Sequence, residues 1–577
     1  MTRLFIFITL VVSLNVSSAY AAKNEFITLC YHDIVEGLTD KLDSDQMAIG
    51  TDNLVAQFSW LKEHGYNVIS LQDILYAKQG KKDLPEKAVL ITIDDGYASV
   101  YKYLYPLLKM YDYTAVVAVV GKWLSAKPGE TVKYGDRDTK PRDFFLTWEQ
   151  LKEMQDSGYI EIASHSFDLH HGELGNPQGN VQPAATTRKY YKQAGRYETD
   201  QEYYQRIKTD LKTNSDLIEK YTGFRPRSIV WPYGAHSEWT IEIAKELGMP
   251  VTMTLKTGRS NLDDISAIRR ILVMSNPTLS DFVYEIEEEK PKLAPIRAVR
   301  LNLDDIYHKD KKIFTHNFDR MLDRIKAMNI NAVYISAFSD TDHDGYADSV
   351  YFPSRYLPTR ADILNRVSWQ IETRAGDDSN YIQIYTVMPI TAFKNKKEPL
   401  TEKQILELYG DVAKFSFTEG LLFLDEKGQG SEGFVKKLTE KVKYYRSKVK
   451  NAALLLSDQR ILKAQNQTQF WSDLQAKYNS FVINVEPGAQ SPENHIEAVL
   501  NALPSRKNLK NFVFELQTVN KKTGEKIPPD LLSSEIDFLL HKNALQLSHF
   551  PDDEAGNYPP LELIKSKISV NDFPFGN

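Results

Sequence analysis

Short, uninterrupted apolar runs recur along the chain, each stopping at polar groups, and between them lie stretches whose apolar positions fall three and four apart. The uninterrupted runs predict strands buried on both faces of a parallel sheet, and the spaced stretches predict helices packed over it. In the first half the strand-like runs are Glu25–Ile34, Val68–Leu71, Ala88–Ile93, Ala115–Val120, Ile160–Ala163, Ser228–Trp231, Val251–Leu255 and Arg270–Val273. Helical stretches alternate with them. One is Trp148–Met154, entered through Thr147 with Gln150 placed as in a capping box and left at Gly158; another is Asp210–Tyr221, closed by Gly223 and Pro226. This alternation predicts an α/β fold, here a distorted (β/α) barrel. The second half repeats the rhythm at Ala298–Leu303, Ala332–Ala337, Ile382–Met388, Leu421–Leu424, Ala452–Leu456, Phe481–Val485, Phe512–Leu516 and Ala544–Leu547, which predicts a (β/α)8-type barrel.

Between the halves a charged stretch, Glu285–Lys290, runs into Pro291-Lys292-Leu293-Ala294-Pro295, a short stiff connector. The expected organisation is a first domain over residues 22–288, a linker over 289–296 and a second domain over 297–577. Ahead of them Arg3, the apolar stretch Leu4–Val12 and the small residues ending in Ala19-Tyr20-Ala21 make a secretory signal, residues 1–21, cleaved after Ala21. No later segment approaches the roughly eighteen apolar residues of a membrane span, so the mature chain is expected to have no transmembrane segment. A periplasmic location is expected. The single cysteine, Cys30, lies inside a strand-like run rather than just after the signal, so no lipid-anchor cysteine is seen; Cys30 reads as a core thiol. A net charge of -6 over 577 residues, without a Lys/Arg stripe, argues against nucleic acid as a partner.

Candidate chemistry sits where strand-like runs stop. Val89–Ile93 ends at Asp94-Asp95-Gly96-Tyr97, and Ile160–Ala163 leads through Ser164 to His165, with His170 five residues later. Adjacent aspartates at a strand end point in different directions, so one can hold a metal while the other faces what the metal holds. Each motif alone also reads as a polar turn. A spacing of five is not one helical face, so the two imidazoles converge only if a loop folds back, as a shared metal would require. A third run ends at Trp231-Pro232-Tyr233-Gly234, a tight turn able to present a backbone N–H to an oxyanion.

At these residues the chain resembles the polysaccharide deacetylase family, over nearly all of residues 25–275. The resemblance implies Asp94 as general base, Asp95, His165 and His170 as ligands of a divalent metal, and the backbone at Tyr233 as part of an oxyanion hole. Most of the family takes its general acid from a histidine near the domain's C-terminal end; Ile268–Val273 has none. In the circularly permuted branch that deacetylates poly-β-1,6-N-acetylglucosamine the acid comes from an N-terminal Tyr-His-Asp motif, here Tyr31-His32-Asp33, which makes His32 the implied acid. The alternative for His32 is a satisfied core histidine. The chemistry needs these types: water must lose a proton, the amide carbonyl must be polarised, and the departing amine must be protonated by a histidine on the far side. A His2Asp set with open positions suits zinc, nickel, cobalt or iron.

For the whole chain the resemblance implies partial N-deacetylation of poly-β-1,6-N-acetyl-D-glucosamine during export for biofilm formation, with the polymer and an outer-membrane export porin as partners. Two other readings stay open, a peptidoglycan or chitin-oligosaccharide deacetylase and a mainly glycan-binding export protein with a vestigial catalytic domain. In the second half, acidic groups follow most predicted strands: Asp304 and Asp305, Asp340, Asp425 and Glu426, Asp458, Glu486, Asp552 and Asp553. On a barrel they would form a negative rim suited to a polymer carrying amino groups. Asp304-Asp305-Ile306-Tyr307 and Tyr351–Asp362 resemble the second domain of the same branch, which binds the partly deacetylated polymer and in some members cuts it. Asp304, Asp305, Asp425 and Glu426 are the implied substrate-binding residues. Lys427-Gly428-Gln429-Gly430 departs from the acidic pattern of the cutting members, so cleavage is left open. Asp340–Asp348 copies the first half of an EF-hand loop, but Tyr351 stands where a bidentate Glu belongs, and a polar barrel loop is the expected role.

Overall fold

The structure, a computed structural model, describes residues 24–38, 46–136, 138–287, 294–376, 381–447, 449, 452–486, 491–521 and 523–570. The expected signal, residues 1–21, lies outside the described residues, as does most of the expected linker. No helix among the described residues is long and apolar enough to cross a membrane.

The N-terminal sheet is a curled ladder of mainly parallel strands. Its members are β1 (Glu25–Tyr31), β2 (Ala88–Ile93), β3 (Ala115–Val119), β4 (Ile160–Ser164), β5 (Ser228–Val230), β6 (Val251–Met253) and β7 (Ile271–Leu272), in the spatial order β6-β5-β4-β3-β2-β1-β7. Ser260–Asn261 adds an antiparallel pairing to this sheet, against the start of β1. Every residue of β2 and β3 is buried, which explains their unbroken apolar runs. Val68–Leu71, expected as a strand, divides: Asn67–Val68 pairs with β2, and Ser70 caps a helix that begins at Leu71, with Asp73 closing the capping box. A local cap thus overrides the apolar pattern.

Helix α1 (Trp148–Asp156) starts at Thr147 with the expected Gln150 capping box and buries Trp148, Leu151 and Met154 on one stripe. Helix α2 runs over Asp200–Thr222, ten residues earlier than the sequence suggests, because Thr199 and Glu202 form a capping box and Tyr203 and Ile207 extend the stripe of Leu211 and Ile218. Asp210 therefore lies in the middle of the helix rather than at its entrance.

The C-terminal region is a closed parallel barrel of eight strands: β8 (Arg297–Asn302), β9 (Ala332–Ser336), β10 (Gln383–Pro389), β11 (Gly420–Leu424), β12 (Ala452–Ser457), β13 (Ser480–Val485), β14 (Phe512–Gln517) and β15 (Leu547–Phe550). Alternate residues divide between its faces: Ala298, Tyr334, Val387, Leu422, Val482 and Val513 fill the interior, while Val299, Leu301, Val333 and Ile335 join the layer packed by helices. The last strand falls three residues later than Ala544–Leu547, since Ala544 N still bonds Leu539 O at the end of the preceding helix and Asn543 turns with φ 62°.

Candidate active site

Strand register delivers the first pair of residues. Tyr31 of β1 pairs with Ile93 of β2, so the next positions on these parallel strands come side by side, and His32 Nε2 lies 3.9 Å from Asp94 Oδ2. His32 is thus next to Asp94 rather than across from it, and its buried Nδ1 has no hydrogen-bond partner among the described residues. Beyond Asp94 the chain turns through φ 69° at Asp95 and φ 70° at Gly96. Left-handed backbone is costly at a residue with a Cβ and persists where the surroundings enforce it. A Cβ at Gly96 would stand 2.9 Å from Val119 Cγ1, so this close turn requires glycine.

Asp94 is clamped by Arg270, just before β7. Arg270 Nη1 donates to Asp94 Oδ1 at 2.7 Å and Nη2 to Oδ2 at 2.8 Å, while Nη1 also reaches Thr92 Oγ1 at 3.2 Å. Both side chains are buried, and a two-point guanidinium fork fixes the plane of the carboxylate and favours its ionised form. Burial raises the Cys30 thiol, which stays protonated and donates to Asp94 Oδ2 at 3.5 Å. In the sequence Arg270 belongs to a strand-like run and carries no motif. Its signal was an arginine inside an apolar run, a cation that is costly to bury without a partner.

The histidines come from the end of β4. Ser164 pairs with Ile229 of β5, and His165 Nδ1 bonds the Val230 carbonyl at 2.8 Å, which leaves Nε2 as the nitrogen with a lone pair. Ser166 then takes φ 69° and its Oγ accepts Leu169 N at 3.0 Å, doubling the chain back. The rings of His165 and His170 end 5.2 Å apart. Asp95, His165 and His170 each offer a ligand atom, and all three lie within 4.8 Å of one another. Two imidazoles and one carboxylate fit a borderline divalent ion such as zinc, cobalt, nickel or iron, and not calcium or magnesium, which demand oxygen. Cys30, His32 and Asp94 are as closely grouped, but the Asp94 carboxylate is already taken by Arg270.

Tyr233 sits on the turn Pro232–Gly234 with φ 57°, and its half-exposed ring stands 4.7 Å from that of His170. Trp123 and Tyr134 flank His170 at 5.0 Å and 5.8 Å. Beside them opens a cavity of about 370 Å³ lined by Lys122, Trp123, Thr131, Lys133, Asp168 and His170 among others. These aromatic neighbours carry no sequence motif and were missed.

Two family descriptions match the chain: polysaccharide deacetylase over residues 81–252, and hypothetical glycosyl hydrolase family 13 over residues 300–405. Residues 81–252 are a polysaccharide deacetylase domain. A poly-β-1,6-N-acetyl-D-glucosamine N-deacetylase of Escherichia coli (strain K12) is 34% identical over 431 residues, 70% of this chain. The chain spans 63% of the length of that relative. A solved de-N-acetylase from Aggregatibacter actinomycetemcomitans is 37% identical and covers 45% of this chain and 100% of its own, with a TM-score of 0.43. A glycoside hydrolase domain from Bordetella bronchiseptica is 26% identical and covers 48% of this chain and 99% of its own, with a TM-score of 0.41.

Outside the deacetylase domain, the barrel's strand-end acids meet partners of their own. Asp304 Oδ1 accepts from Ser339 and Tyr351 at 2.8 Å and 2.5 Å and faces Arg360 at 3.2 Å. Asp425 is buried and accepts Gln429 N at 2.7 Å, Gly430 N at 3.2 Å and Tyr478 Oη at 3.3 Å. Asp458 bonds His495 and Glu486 N, and Asp552 bonds Arg324. In the EF-hand-like loop Lys394 Nζ reaches Asp342 at 2.6 Å and Asp344 at 2.5 Å, an internal cation for that loop. Asp305 and Glu426 remain exposed. Inside the barrel Arg300 pairs with buried Glu515 at 2.8 Å, and Asn484 donates to the same carboxylate at 2.8 Å.

Proposed function

We propose that the chain is a metal-dependent N-deacetylase that removes acetyl groups from some residues of exported poly-β-1,6-N-acetyl-D-glucosamine, and that its barrel holds the polymer. The convergence of Asp95, His165 and His170 beside the Arg270-clamped Asp94 carries this reading. The Escherichia coli relative bears that activity in its name, which supports the choice of glycan.

Asp95, His165 and His170 would hold the ion, which when bound makes water acidic and polarises the amide carbonyl. Asp94 takes the proton of the attacking water, and the Arg270 fork keeps the accepting oxygens ionised and aimed. The turn at Tyr233 offers backbone N–H to the carbonyl oxygen as it gains charge. His32 gives a proton to the amine nitrogen, whose basicity otherwise returns the intermediate to substrate. His32 lies 3.9 Å from Asp94 at the ends of neighbouring parallel strands, which supports giving the two residues complementary roles. We further propose residues 22–288 and 297–577 as the two domains, a periplasmic site of action after cleavage of the signal, and an outer-membrane porin as the acceptor of the modified polymer.

The deciding measurement is acetate release from β-1,6-linked N-acetylglucosamine oligomers, with and without chelator, beside peptidoglycan and chitin oligomers. Chelator-sensitive release from the β-1,6 oligomers above the other two supports the reading. Preference for either of the others replaces the proposed substrate, and release unaffected by chelator removes the metal.

A further inference from the structure

For two histidines five apart to reach one ion, the loop between them has to fold back, and here it folds back against α2. Asp210, mid-helix, accepts the backbone N–H of Phe167 at Oδ1 and that of Asp168 at Oδ2, both at 2.8 Å. One helical turn later on the same face, Asn214 Nδ2 donates to Ser164 Oγ at 2.8 Å, and that hydroxyl in turn accepts Ser166 N at 3.2 Å. The other side of the loop is held too: Gly121 N bonds Ser166 O at 3.2 Å and Lys122 N bonds Phe167 O at 3.1 Å. The helix thus grips the residue before His165 and the pair midway between the histidines.

A carboxylate so placed is not needed by the helix, which has its own cap at Thr199, and burial pushes it up to about 7. A group held at such a disadvantage and bonded, among the described residues, only to a ligand-bearing loop points to a task in that loop. Fixing the loop in advance removes the ordering cost that an ion would otherwise have to overcome.

We propose that Asp210 is the positioning residue of the metal site, holding the His165–His170 loop in its ligating shape before an ion arrives, with Asn214 as its companion. The inference rests on reading Asp95, His165 and His170 as metal ligands. Asp210 touches neither ion nor substrate; it acts through the backbone of Phe167 and Asp168.

The test uses the metal-free full-length protein, titrated with Co²⁺ by calorimetry and followed by the visible absorption of the bound ion. Asp210→Asn, which keeps the shape but can accept through only one oxygen, should weaken Co²⁺ binding by about 10- to 100-fold and alter the spectrum, as loss of a group orienting metal ligands does. Asn214→Ala should weaken it less. In the metal-free state the Phe167 and Asp168 amides should exchange with solvent deuterium slowly in the wild type and faster in Asp210→Asn. A fold-level anchor alone would lower the melting temperature while leaving Co²⁺ affinity, spectrum and amide exchange of the folded fraction unchanged, which would overturn the inference. Wild-type protein that binds no Co²⁺ would overturn the metal-site reading and the inference with it; wild-type binding matched by Asp210→Asn would overturn the inference alone.

Discussion

The curled sheet and the barrel both set acidic residues directly after parallel strands and then use them differently. In the sheet, Asp95 lies with His165 and His170 so that three ligand atoms fall within 4.8 Å, and the charge of Asp94 is balanced by one buried arginine. In the barrel, Asp304, Asp425, Asp458 and Asp552 each face protein donors. A carboxylate already filled by hydrogen bonds takes up a ligand only by losing them, at about 1.5–3 kcal/mol for each bond to a charged group. A strand-end acid therefore marks a location, and its partners decide whether it is a site or a brace.

The contrast is broken or sharpened most strongly at the ligands. Asp95→Ala, His165→Ala and His170→Ala should each lose metal, and acetate release should fall at least about 100-fold. Elemental analysis showing full metal content in all three would erase the distinction between the two regions. Next in size, Asp94→Asn should keep its metal while turnover falls by roughly 10²- to 10⁴-fold, the usual contribution of a positioned base; near-wild-type acetate release would move the base elsewhere. His32→Ala should retain metal and fold yet lose most amide hydrolysis, with an aryl acetate ester far less affected because its leaving group needs no proton. If amide and ester rates drop by one common factor, His32 is not the acid.

On the barrel side, Asp425→Asn should cost about 2 kcal/mol of stability, read from the denaturant midpoint, with acetate release from short oligomers unchanged. Unchanged stability together with lost binding of glucosamine-containing oligomers would make Asp425 a site residue and collapse the comparison. The smallest effect concerns Glu535, on the helix Pro529–His541, which burial pushes up to about 7 and whose Oε1 has no hydrogen-bond partner among the described residues. The unfolded chain releases that proton near the ordinary value of 4.5, so between there and about pH 7 the folded state holds the extra proton, and stability declines as pH rises. Glu535→Gln should remove this decline and gain about 1 kcal/mol at pH 8, since the amide is buried but never charged. A wild-type midpoint that is flat from pH 4.5 to 7 would show that Glu535 is ionised without penalty.

What the sequence determined by itself was local. An apolar run and the polar residues that stop it lie within a few positions of one another, so β2 with Asp94-Asp95, β4 with His165 and the eight barrel strands were legible, most to within one or two residues. The capping box at Thr147 was legible for the same reason, and the one at Thr199 was equally local but hidden among charged residues. The tertiary structure decided which groups share their charges and lone pairs. Arg270 meets Asp94 across 176 positions because β7 and β2 both pair with β1, one strand apart in the same sheet, and Asp210 meets Phe167 because α2 packs on the loop after β4. Lys394 likewise reaches the acidic loop 50 residues before it. Strand formation depends on neighbours along the chain, whereas filling a lone pair depends on neighbours in space, and only the folded packing brings those together.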